Sequence, residues 1–210
     1  MPTLSPALAL AALVAFTPAC ASTPATPPRE ALTLPLEADD GTVTLTALTP
    51  RHAATVLVWW SSNCPCVARY AARVSDLAQR FATQDVGVYL IASNADEDEA
   101  SLAHPTPALP LFRDPDGTLA RALDVISTPT IVVFDRAGTV RYRGWLDNEH
   151  TPGDPDREPW LEDSLTQLLA GATASWKKPF WGCMITRSLS SAHKCQPPTP
   201  VTPPCHHATR

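Results

Sequence analysis

The chain has 210 residues, 23 of them proline, with a formal net charge of −5 at pH 7. No basic run is longer than Lys177-Lys178, which argues against nucleic acid or an anionic membrane surface as the main partner. Residues 18–28 and 196–210 are rich in Pro, Thr and Ala; such sequence buries too little apolar surface to offset chain ordering, which leaves about 150 residues, one compact domain.

In chain order, Ala7–Phe16 is a short apolar run, the length of a signal-peptide core and too short to span a bilayer. It leads into Thr17-Pro18-Ala19-Cys20, which resembles a bacterial lipoprotein signal. The expected organisation is a lipoprotein-type signal peptide over 1–20 with a lipid anchor at Cys20, and a Pro/Thr-rich tether over 21–31. A folded domain over 32–187 and a Pro-rich flexible tail over 188–210 complete it. An ordinary secretory signal cleaved nearby is the other reading, and either route exports the chain to the periplasm or envelope. The six cysteines, at 20, 64, 66, 183, 195 and 205, lack the paired spacing of a zinc finger. Their number suits an oxidising compartment.

Leu32–Leu48 reads as a β-hairpin around Asp39-Asp40-Gly41, with Val43, Leu45 and Ala47 alternating with threonines. Thr55–Trp60 is a continuous apolar, β-branched run, hence a buried central strand. After Pro65, Val67, Tyr70, Ala71, Val74, Leu77, Ala78 and Phe81 mark one helix face. Val86–Ala92 reads as a second buried strand; Ala95–Ala103 and Gly117–Leu123 read as short helices. The acidic run Asp96-Glu97-Asp98-Glu99 is expected to be a solvated first helical turn. A strand Thr130–Phe134, a turn at Asp135–Gly138, a returning strand Thr139–Gly144 and a helix Trp160–Leu169 follow. Alternating strand and helix call for a parallel sheet covered by helices.

Chemistry concentrates where the first buried strand meets the long helix, at Cys64-Pro65-Cys66. The unpaired N–H groups of a helix start stabilise a thiolate and make a cysteine nucleophilic, so Cys64 is the expected nucleophile and Cys66 a neighbouring thiol. A Cys-x-Cys disulfide closes a very small ring and departs from relaxed geometry. The second signal is Ser127-Thr128-Pro129-Thr130: a proline opening a core strand cannot donate to the ladder, which points to a cis-proline set against the thiols.

Val58-Trp59-Trp60-Ser61-Ser62-Asn63-Cys64, Thr128-Pro129-Thr130, Asp135-Arg136-Ala137-Gly138 and Tyr142-Arg143-Gly144 together resemble the thioredoxin superfamily. Ser93-Asn94-Ala95-Asp96 and Gly182-Cys183-Met184-Ile185 are similar to stretches of its exported redoxin branch, the alkyl-hydroperoxide-reductase and thiol-specific-antioxidant proteins. The resemblance implies an α/β, thioredoxin-like three-layer fold with a central mixed sheet and an N-terminal β-hairpin. It also implies a site of Cys64, Cys66, Thr128, Pro129 and Cys183, with Cys183 a third redox thiol. The chain departs from the pattern in its shorter Cys-x-Cys, in Val58 where thioredoxins carry a buried acid, and in Leu57 where peroxiredoxins carry proline. Two readings of Cys183 stand: a buried small hydrophobe, or the partner of Cys64 or Cys66 in a disulfide.

The leading function is a cell-envelope thiol–disulfide oxidoreductase working through the Cys-Pro-Cys site on proteins with disulfides or thiols, together with a redox partner. It needs neither cofactor nor metal. A thiol peroxidase is the second reading: Ser61 stands before Cys64, and Arg69, Arg73, Arg121 and Arg143 are candidate arginines. A non-enzymatic copper protein is the third, with Cys64, Cys66 and His206 or His207 as soft ligands. Trp59 and Trp60 are expected as core on one side and a lid over the thiols on the other, and Cys195–Cys205 as a disulfide of the tail.

Overall fold

The computed structural model describes residues 29–187, apart from 98, 104, 106, 150–152, 180 and 181. The expected signal peptide with Cys20, and the expected tail with Cys195, Cys205, His206 and His207, lie outside the described residues. Among the described residues no helix is long and apolar enough to cross a membrane.

The chain opens with helix α1 (Arg29–Thr33), so Arg29–Ala31, read above as the end of the tether, are helical, and Ala31 is buried. The hairpin is shorter than expected: β1 (Leu36–Ala38) pairs antiparallel with β2 (Gly41–Val43), and then the alternation stops. Leu45–Leu48 is helix α2 instead of strand, because the Thr44 side chain accepts from the Ala47 N–H and caps it. Leu45 and Leu48, one helical turn apart, are both buried. A short 3-10 turn, Thr49–Arg51, leads into β3 (Ala54–Trp60).

All of β3 is buried, and its period of two divides the molecule into layers. Ala54, Val56, Val58 and Trp60 join one core with helix α3 (Pro65–Ala82); Leu57 and Trp59 join the other, with α1 and α2. From α3, Val67, Tyr70, Val74, Leu77 and Phe81 are buried, each worth about 1.5–3 kcal/mol over exposure. β4 (Val86–Ala92) runs parallel to β3, and β5 (Leu111–Arg113) parallel to β4, after helix α4 (Glu99–Leu102). Helix α5 (Thr118–Ala122) has its first N–H groups capped by buried Asp114, which accepts from Leu119 and Ala120.

β6 (Ser127–Thr128) precedes β7 (Thr130–Asp135), which crosses back antiparallel to β3. β8 (Val140–Gly144) returns against β7, helix α6 (Trp160–Leu169) packs on the α3 face, and β9 (Trp176–Lys177) runs parallel to β8. The eight-stranded sheet is ordered β2-β1-β5-β4-β3-β7-β8-β9, mixed and covered on both faces. The last strand, β10 (Cys183–Met184), lies outside it and pairs antiparallel with β6.

Candidate active site

Cys64 is the N-cap of α3, with Pro65 in the first turn, so it stands where β3 delivers the chain to the helix mouth. Both Cys64 and Cys66 are buried, in one apolar cluster with Trp60, Val67, Tyr70 and Ile131. On the other side lies the Thr128–Pro129 peptide bond, which is cis. Its carbonyl oxygen is 3.4 Å from the Cys64 sulfur, where a reduced thiol can donate. The Thr128 hydroxyl is buried with no hydrogen-bond partner.

Cys64 is disulfide-bonded to Cys183, with Cα atoms 5.9 Å apart. Of the two readings of Cys183, the structure has the disulfide, and with Cys64 rather than Cys66. Cys66 stays outside the bond, yet the three sulfurs lie within 4.8 Å of one another. The tight Cys-x-Cys ring is therefore not the bond formed; the partner comes from a segment 119 residues away in sequence.

Several local devices hold that segment in place. Cys183 pairs with Thr128 and Met184 with Ser127, and the Ile185 N–H donates to the Ile126 carbonyl at 2.9 Å. Gly182 lies at φ +145°, and a Cβ there would sit 2.1 Å from the Thr128 carbonyl oxygen. Only glycine permits that approach. Farther on, Thr186 bonds twice with the loop after β4: its carbonyl accepts from Ala95, and its N–H donates to Asn94 Oδ1 at 2.9 Å.

Here the acidic run departs from expectation. Glu97 is buried rather than solvated: its Oε1 accepts from the Ser62 N–H and hydroxyl, and its Oε2 from Asn94. Glu97 thus ties the loop before Cys64 to the loop after β4, whose Asn94 in turn holds Thr186, a role hidden in sequence because it sits among three other acids. The two tryptophans divide between the two faces, as expected. Trp59 is fully buried on the face opposite the thiols with its Nε1 donating to Ser93, while Trp60 packs on the thiol side.

The features of a peroxide site are otherwise engaged. The Ser61 hydroxyl accepts from the Asn63 N–H. Arg73 pairs with Asp147 and Glu149, Arg121 binds the Asp116 carbonyl and Thr118, Arg143 faces Asp124 at 3.6 Å, and Arg69 is on the exposed side of α3.

The model of the AhpC/TSA family matches residues 27–143, more than half the chain. The chain belongs to the AhpC/TSA family. No curated protein matches it in sequence. Among solved structures it is similar to a hypothetical protein from Sinorhizobium meliloti 1021, 24% identical over 80% of this chain and 96% of that one, with a TM-score of 0.67. An uncharacterized conserved protein from Geobacillus kaustophilus is 24% identical over 80% and 95%, TM-score 0.62. A candidate thiol:disulfide interchange protein DsbE from Chlorobium tepidum is 21% identical over 65% and 92%, TM-score 0.52. At these identities the likeness shows the fold, which is thioredoxin-like α/β.

Proposed function

We propose that this AhpC/TSA-family protein is a thiol–disulfide oxidoreductase of the cell envelope that acts on protein disulfides. Cys64 is the nucleophile and Cys183 the resolving thiol, next to Thr128 and cis-Pro129. The observation that carries the reading is the Cys64–Cys183 disulfide between a helix N-cap and a strand paired to the cis-proline loop. Export rests on the apolar run Ala7–Phe16 and on Cys20.

The reduced protein starts the cycle. The α3 N-terminus favours negative charge on the Cys64 sulfur. The thiolate attacks a substrate disulfide, forming a mixed disulfide and releasing one substrate sulfur as thiolate, which takes a proton. Cys183, held next to Cys64 by β10, then attacks the Cys64 sulfur and expels the second substrate thiol. Two electrons leave the protein and reduce the substrate; the product is the Cys64–Cys183 bond. The same steps in reverse oxidise a substrate dithiol.

Trapping tests the assignment. With a disulfide-bearing protein substrate, Cys183→Ser should accumulate a mixed disulfide at Cys64, and Cys64→Ser should lose turnover by about 1,000-fold or more, ~4 kcal/mol in barrier. Wild-type turnover in Cys64→Ser would sink the reading. Accumulation in Cys66→Ser and not in Cys183→Ser would move the resolving role to Cys66.

A second reading, thiol peroxidase, has the family match in its favour. A Cys64 sulfenic acid condensing with the Cys183 thiol would expel water and leave the same disulfide. Oxidation of reduced Cys64 by low peroxide no faster than that of a free thiol removes it.

A further inference from the structure

The oxidised site uses two of three sulfurs, and the third is within reach of both. Reduction by a phosphine, which takes the oxygen of a water and leaves two thiols, presents three thiols within one small volume. No histidine or carboxylate joins the group among the described residues. Its apolar surroundings include Trp60, Val67, Tyr70 and Ile131. Any central atom bound there therefore has three sulfur ligands and, beyond the α3 N-terminus at Cys64, little to offset leftover charge.

Charge and coordination number decide what fits. Zinc prefers four ligands, and three thiolates around a divalent ion retain one negative charge, around a monovalent ion two. Burying uncompensated charge in such a site is costly. A trivalent thiophilic centre of coordination number three leaves none. Arsenous acid and three thiols give a tris-thiolate and three waters, with no net proton released and no charge created. An atom about 2.3 Å from each sulfur, the usual metal–thiolate length, needs sulfurs somewhat under about 4 Å apart. Breaking the disulfide lets Cys64 and Cys183 separate to that spacing, and the Cys66 sulfur lies within 4.8 Å of both.

We propose that reduced Cys64, Cys66 and Cys183 form a three-thiolate binding site for trivalent arsenic. Thiol–disulfide exchange is not required for it; the site needs only that the three thiols be reduced together. It also assigns Cys66 a function that a Cys64–Cys183 exchange cycle leaves open.

The test uses the full chain with Cys20→Ser, Cys195→Ser and Cys205→Ser, so that thiols elsewhere cannot compete. The protein is reduced anaerobically with a phosphine, desalted and given one equivalent of arsenite. The expected result is an intact mass higher by one arsenic less three hydrogens, with all three thiols lost to a thiol reagent. A Cys66→Ala variant should bind at least ~100-fold more weakly, the loss of one arm of a multidentate site, and its adduct should retain a hydroxyl. Because a buried substitution can perturb folding, the disulfide form of the unsubstituted site provides a second measurement; it should take up no arsenite. A hydroxyl-bearing two-sulfur adduct in the reduced parent would overturn the proposal. So would equal binding by Cys66→Ala, or binding by the oxidised protein.

Discussion

Helix α3 carries two buried polar centres, and they accommodate burial in opposite ways. At its start Cys64 and Cys66 sit among Trp60, Val67 and Ile131, sulfur against apolar side chains. A few turns on, Arg73 reaches Asp147 at 2.6 Å and Glu149 at 2.5 Å, and Arg157 reaches Asp147 at 2.8 Å and Glu162 at 2.7 Å. Asp147 is wholly buried, and two guanidiniums lie against its carboxylate. Tyr70 separates the two centres, its ring under Arg73 and its hydroxyl donating to the Glu149 carbonyl. The ionic centre fastens the chain after β8 to α3 and is costly to disturb. The sulfur centre is built from apolar packing at a helix start, where the α3 N-terminus favours negative charge on Cys64.

Four perturbations break or sharpen that contrast. The largest effect is expected from Asp147→Ala, which leaves Arg73 and Arg157 short of a buried partner and costs about 3 kcal/mol, read by chemical denaturation. Thiol exchange by the folded fraction should be unchanged; slower exchange at full stability would mean the centres are not separate. Gly182→Ala strikes the sulfur side through backbone instead of charge. A Cβ 2.1 Å from the Thr128 oxygen at φ +145° must displace β10, and a loss of about 2 kcal/mol in the oxidised protein is expected. An unaltered melting temperature would show that the backbone of β10 does not lie against Thr128.

Glu97→Ala removes the acceptor of the Ser62 N–H and hydroxyl. About 1 kcal/mol should be lost, with faster amide exchange at Ser62, and unaltered exchange there would deny Glu97 its hold on the loop. The smallest effect near neutral pH, growing only in alkali, concerns the tyrosine between the centres. Burial, reinforced by the Asp147 charge, pushes the Tyr70 hydroxyl up to about 12, and Tyr142 shifts the same way. An unfolded tyrosine ionises near about 10. Between those values the unfolded chain releases protons that the native protein keeps, so stability is full below pH ~10 and falls as pH rises toward ~12. A denaturation midpoint flat across that window would place Tyr70 in contact with solvent.

How much of this was legible beforehand depended on whether the signal was local. Continuous apolar β-branched runs marked β3 and β4, and three- and four-residue spacing marked α3 and α6, because period and burial are recorded along the chain. The α2 helix was misread as strand because alternation over Val43–Ala47 masked Thr44 as a cap. Strands of two or three residues, β5, β9 and β10, carry too few positions to display a period. Cys64, Cys66, Thr128 and Pro129 are marked by type and by the elements around them, and Cys183 by the resemblance of Gly182-Cys183-Met184-Ile185 to the redoxin branch.

The sequence by itself determined which thiols stand at a helix start, where the proline interrupts a strand and which chain segments can form a core. Each of those depends on residues a few positions apart. Tertiary structure alone decided that Cys64 bonds Cys183 in preference to Cys66, that Glu97 is buried between two loops, and that Asp147 and Glu149 meet Arg73 and Arg157. Most of those partners are distant in sequence, and parallel β3 and β4 with antiparallel β7 bring the helix mouth, the loop after β4 and β6 to the same end of the sheet. A carboxylate in an acidic run and one in a buried ion cluster look alike until the fold removes the water from one of them.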